Sequence, residues 1–117
     1  MKENTVAEKS KGFALRIIKL YQHLSNENQE YIISKQLLRC GTSIGANIAE
    51  SIRAESKPDF YHKLNIALKE AEETAYWLEL LYMSDYIEER AYSSISQDCE
   101  ELIRLLVAIT KTQKNDL

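Results

Sequence analysis

The chain has 117 residues, 44% hydrophobic and 28% charged, with a formal net charge of -3 and a sequence pI near 5.4. That length is one domain, spanning residues 1–117 with an ordered core over about 6–112, able to bury roughly two-thirds of the surface of its unfolded form. Two cysteines are too few for a disulfide framework, no apolar run reaches the length of a membrane span, and an acidic pI is far from that of a dedicated nucleic-acid binder.

Three glycines, one proline and no strand-type alternation predict long helices with short connections. The first helix is expected from about Val6 to Leu24, with Phe13, Ile17, Leu20, Tyr21 and Leu24 on its buried side. Ser25-Asn26-Glu27-Asn28 breaks it, and Asn26 with Gln29 three residues on reads as a capping pair for a second helix running to about Arg53. Its stripe is Ile33, Leu37, Ile44, Ile48 and Ile52.

Ser56 is an expected N-cap for the third helix, with Pro58 tolerated in the first turn and Asp59 favourable at the positive end. That helix carries Phe60, Leu64, Ala67, Leu68, Ala71, Ala75, Leu78, Leu81 and Tyr82. A turn at Ser84-Asp85-Tyr86-Ile87 leads to a fourth helix with Ile95, Cys99, Leu102, Leu106 and Ile109 inward. Lys111 to Asp116 reads as a fraying polar tail. Four such helices with loops of about three to five residues imply an all-α, up-and-down antiparallel four-helix bundle. Both Cys40 and Cys99 fall on apolar stripes and read as reduced core thiols, and Met1 to Thr5 lacks the apolar segment of a signal peptide, so a cytoplasmic protein is expected.

The second helix holds the least ordinary stretch, Leu38 to Glu50. Glycine inside a helix costs on the order of 1 kcal/mol relative to alanine, yet Gly41 and Gly45 stand one turn apart. A closely packed helix, from this chain or from another copy, is the expected reason. Gly41, Ser43, Ile44, Gly45, Asn47, Ile48 and Glu50 are therefore the candidate helix-packing or oligomer seam, with Ser43 and Asn47 placed to bond a neighbouring helix and Glu50 to meet a basic group. Leu15, Ile18, Tyr31, Ile32, Leu38, Leu80, Ile103, Leu105 and Val107 lie off the predicted stripes. Such surplus apolar surface is commonly hidden by self-association, so a homo-oligomer is expected.

Charge is unevenly divided. Residues 1–69 hold eleven Lys and Arg against seven Asp and Glu, and residues 70–117 four against eleven. Opposite-sign halves favour helix pairs that attract one another, or a molecule with a basic and an acidic face. Lys9, Lys11, Arg16, Lys19, Lys35 and Arg39 are the candidate contacts if nucleic acid is a partner.

Catalytic, metal and cofactor chemistry finds no constellation. A di-metal bundle needs two Glu-x-x-His elements, whereas His62 has Asp59 and His23 has Leu20 three residues before it. Neither cysteine has a context that activates it, and no nucleophile elbow or phosphate loop is present. Arg16 and His23, two helical turns apart, loosely resemble the pairs of metal-free helical ribonucleases of the HEPN type. No cofactor is expected, and the leading expectation is a non-enzymatic scaffold or adaptor.

The run Gln36 to Ser51, followed by Ser56-Lys57-Pro58-Asp59-Phe60, Leu64 to Thr74 and Tyr86-Ile87, resembles the four-helix bundle proteins encoded in intervening sequences of bacterial 23S ribosomal RNA genes. Ser51, Gly45 and Asp85 depart from the family pattern, which often has glycine, proline and glycine there. The resemblance implies an up-and-down bundle assembled as a homopentameric ring. It also brings in a relative, the accessory variability protein of diversity-generating retroelements, which binds a protein partner and nucleic acid through a strongly basic surface that this acidic chain lacks.

Overall fold

The computed structural model describes residues 2–113, with side chains from Thr5 onward. Helix α1 spans Lys2–Asn26, α2 Ile33–Ile52, α3 Lys57–Met83 and α4 Glu89–Thr110, with no strand among the described residues. Together they form an antiparallel up-and-down bundle with extents of 47 × 21 × 20 Å. Each helix packs on its sequence neighbours and α1 closes the bundle against α4, the most sparsely packed of the four seams.

The core follows the apolar stripes. Ile17 and Leu24 from α1, Leu37, Ile44 and Ile48 from α2, Leu78 and Leu81 from α3, and Leu102 and Leu106 from α4 are all essentially inaccessible. Ile52 is the exception, at 53% exposure, and Ser51 is buried in its place. A four-residue step advances a helix by about 400°, so the sequence 44, 48, 52 carries the stripe off the core while the step to 51 restores it. The Ser51 hydroxyl tolerates burial by donating to the Ile48 carbonyl at 2.6 Å. Tyr61 and Thr74, absent from the predicted stripe of α3, are also buried.

Cys40 and Cys99 are free thiols at the centre of the bundle. Burial pushes Cys40 up to about 11 and Cys99 up to about 12, so both stay protonated at neutral pH.

The connections differ most from the sequence reading at the first turn. Asn26 ends α1 instead of capping α2, and Gln29 adopts a left-handed backbone with φ 54°. Glu30 is the cap. Its carboxylate accepts the backbone N–H groups of Ile32, Ile33 and Ser34 at 3.2, 3.0 and 2.7 Å, while the Ser34 hydroxyl donates to the Glu30 carbonyl at 2.6 Å. One side chain thus satisfies three donors that a helix start leaves without intrahelical partners. Partial burial opposes ionisation of Glu30, but these hydrogen bonds outweigh it and hold the carboxyl below the usual range.

At the second turn Ser56 is the N-cap of α3 as expected, its hydroxyl accepting the Asp59 N–H at 3.2 Å, with Pro58 in the first turn. At the third, Asp85 has φ 69°, a left-handed conformation that glycine adopts freely and aspartate tolerates. Beyond α4 the chain does not simply fray: the Tyr61 hydroxyl lies 2.8 Å from Thr112 Oγ1, and Asn65 Nδ2 donates to Gln113 Oε1 at 3.3 Å. The remainder of the expected tail, from Lys114, lies outside the described residues.

Replacing Glu30 with Gln is expected to lower stability by about 1 kcal/mol near neutral pH. Because the folded carboxyl is held below its unfolded value, its contribution is complete above about pH 4.3 and fades as pH falls through the folded value. Urea melts of wild type and Glu30→Gln should therefore differ near pH 7 and converge near pH 2; a gap of constant size at both would refute the carboxylate cap.

Candidate functional site

The seam around the two glycines is filled from within the chain. A Cβ built on Gly41 would lie 2.9 Å from both Ile17 Cγ1 and Ile17 Cγ2 on α1. At Gly45 the nearest atoms are Ser10 Oγ at 3.2 Å and the Ser10 carbonyl oxygen at 3.5 Å. Neither glycine has a positive φ, so both serve close approach and not an unusual backbone. Gly41, Ile44 and Ile48 are buried, and Gly45 is half-buried beside the buried Ser10. The close neighbour is thus α1 of the same molecule, and these residues build the core seam between α1 and α2.

The polar residues of the stretch are likewise occupied internally. Asn47 Nδ2 donates to the Ser43 carbonyl at 2.9 Å and lies 3.1 Å from Ser43 Oγ, one turn back on α2, so within the chain the pair bonds itself and not another helix of the bundle. Glu50 meets Lys63 on α3 at 2.9 Å. The expected basic group is therefore part of the same chain, and Glu50 in turn raises the Lys63 ammonium above its ordinary range.

The charge asymmetry resolves into pairs across the bundle. Lys9 on α1 meets Glu101 on α4 at 3.3 Å, and Arg16 meets Asp98, with its Nη2 also donating to Ser94 Oγ at 3.0 Å. Arg39 on α2 bridges Glu70, at 3.4 Å, and Glu73 on α3. The indole N–H of Trp77 donates to the same Glu73 carboxylate at 3.0 Å. Three of the six candidate phosphate contacts are thus neutralised by the acidic half. Lys11, Lys19 and Lys35 are exposed and have no ion partner among the described residues.

These pairings were missed in the sequence because each joins helices distant in the chain. The available signal was the spacing: Lys9 and Arg16 are two turns apart, and Asp98 and Glu101 one turn, each set on one helix face. Arg16 and His23, the pair of the ribonuclease-like reading, have different surroundings. The guanidinium is engaged by Asp98 and Ser94, while His23 lies exposed at the end of α1 beside Asp85, Tyr86 and Glu88. Among the described residues no group of three or more His, Cys, Asp and Glu side chains could hold a metal ion, and no helix is long and apolar enough to cross a membrane.

Among the charged and polar groups of the surface, several large apolar side chains also face outward. Leu15 and Ile18, one turn apart on α1, are 58% and 36% exposed. Tyr31 and Ile32 project from the first connection, and Val107 from α4.

Residues 2–108 match the family of 23S rRNA-intervening sequence proteins. The chain is similar to a protein of unknown function from the S23 ribosomal protein family of Bacteroides thetaiotaomicron, whose crystal structure superposes with a TM-score of 0.94. Identity is 56%, over 96% of this chain and 100% of that one. No curated protein matches. Neither the family's name nor the neighbour's is that of an enzyme.

The glycines give a ranked expectation. Gly12 on α1 has nothing within 4 Å of a built Cβ, so Gly12→Ala should gain most of the helix-propensity difference, on the order of 1 kcal/mol. Gly45→Ala should change stability little, as the Ser10 hydroxyl gives way. Gly41→Ala should destabilise, because both branches of the Ile17 side chain stand in the way and a β-branched residue yields poorly at χ1. Thermal melts that place Gly41→Ala level with Gly12→Ala would refute the seam.

Proposed function

The chain belongs to the 23S rRNA-intervening sequence protein family, and from that premise we propose that it is a non-enzymatic scaffold or adaptor working as a homo-oligomer, in the form of a ring of five copies. The observation that carries this reading is the uncovered pair Leu15 and Ile18 on the outer side of α1. With the glycine stretch already occupied by α1, these outward side chains, and not the glycines, are what a second copy has to cover. Full burial of a leucine or isoleucine contributes about 1.5–3 kcal/mol, so a repeated contact built on such a pair supports association at modest concentration. The five-fold number comes from the resemblance carried by the Gln36–Ser51 and Leu64–Thr74 stretches.

A role on nucleic acid finds less support. The cross-bundle pairs already engage Lys9, Arg16 and Arg39, and the formal charge of the whole chain is -3. Phosphate binding would have to compete with Glu101, Asp98, Glu70 and Glu73 for these groups.

Light scattering on the purified chain at micromolar concentration is expected to give a mass several times the 13.5 kDa of one copy. The double variant Leu15→Glu, Ile18→Glu should fall to a single copy with unchanged helical circular dichroism, since both side chains are already outside the core. A monomeric wild type would overturn the proposal.

A further inference from the structure

The sparse seam between α1 and α4 opens, toward the α3–α4 connection, into two depressions of about 220 and 460 Å³ that share Leu20, Ile87 and Ala91. They form one valley running along the two helices. Its floor is apolar: Leu20 is half-buried, Ile87 and Ile95 are 6% and 4% exposed, and Ala91 lies exposed between them. Ile87, in the connection just before α4, and Ala91 and Ile95 on it are spaced four residues apart, so the floor presents large, small and large side chains in turn. A ridge of side chains from another helix packs into such a valley, and the methyl of Ala91 lets it come close. The valley is partly open to solvent, so a helix can be laid into it from outside.

Its two ends carry opposite charge. Lys19 stands at the Ile95 end, beside Arg16, whose charge is taken up by Asp98. Asp85 and Glu88 stand at the other end, next to His23. Lys19, Asp85 and Glu88 are exposed and lack an ion partner among the described residues. We propose that this valley is a docking site for an amphipathic helical segment of a partner protein, about two turns long, with an apolar face, an acidic residue set against Lys19 and a basic residue against Asp85 and Glu88. The inference rests on the adaptor reading and names the surface through which the adaptor takes its partner. Opposite charge at the two ends fixes the direction of the bound helix and disfavours segments of a single sign.

Three fluorescein-labelled helical peptides of equal length test it on the full chain by fluorescence anisotropy. All carry the same leucine face; one has glutamate at one end and lysine at the other, one is basic at both ends and one acidic at both. The dipolar peptide is expected to bind about tenfold tighter than either uniform one. Ala91→Trp, at an exposed position, should fill the valley and abolish binding. Lys19→Glu should make both ends acidic and transfer the preference to the uniformly basic peptide. Equal binding of all three peptides, no binding at all, or binding indifferent to Ala91→Trp would overturn the proposal. So would a change in assembly mass on Ala91→Trp, which would make a second copy the occupant. A monomeric wild type that still prefers the dipolar peptide would sink the ring and leave the valley standing, whereas a ring that ignores all three would do the reverse.

Discussion

The distance between α1 and α2 is set where Ile17 rests on the bare backbone of Gly41. A side chain there would hold the helices apart over the turns in which Ser10 also meets Gly45, and with them the angle at which α1 reaches α4. Helical propensity is given up at two positions to gain that contact, a trade made sensible by the density at which protein interiors pack. The arrangement leaves α1 drawn close to α2 and only lightly joined to α4. The valley between α1 and α4 is the other side of the same constraint.

Charge completes what packing leaves loose. Along the α1–α4 seam, Lys9 with Glu101 and Arg16 with Asp98 bridge the two neighbouring helices that lie against each other most sparsely. Exposed pairs of this kind contribute little to stability, so their larger effect is to set which helix faces which. The basic first half and acidic second half are in this sense one device: the halves neutralise each other inside one molecule, which removes much of the motive for a phosphate-binding reading of the same residues.

Legibility followed the range of the interactions. The stripe of α4, the Leu64, Ala67, Ala71, Leu78 and Leu81 part of that of α3, the Ser56 cap and the burial of the cysteines depend on residues within a turn or two of one another, and they could be read directly, whereas Tyr61 and Thr74 were missed because their polar groups mask their inward placement. Ile52 was placed inward because a run of four-residue steps was followed one step too far. The start of α2 was misread because Asn26 looks like a cap, whereas the residue that fills the role, Glu30, reaches three successive N–H groups from outside the helix. The glycine stretch announced a close neighbour without saying which, since Ile17 and Gly41 are 24 residues apart and only the fold brings them together. The valley was illegible altogether: it is a gap, made of Leu20, Ile87 and Ala91, none of which is unusual in sequence.

The two thiols lie deep among α2, α3 and α4, with Cys99 Sγ 3.4 Å from the Ala71 carbonyl and Cys40 Sγ 3.2 Å from the Thr74 hydroxyl. Held protonated and shielded from water, neither reacts with an electrophile while the helices stay packed. Alkylation of these sulfurs consequently keeps time for the interior: each modified molecule records one excursion in which the helices parted, and the rate of labelling measures how often the bundle breathes.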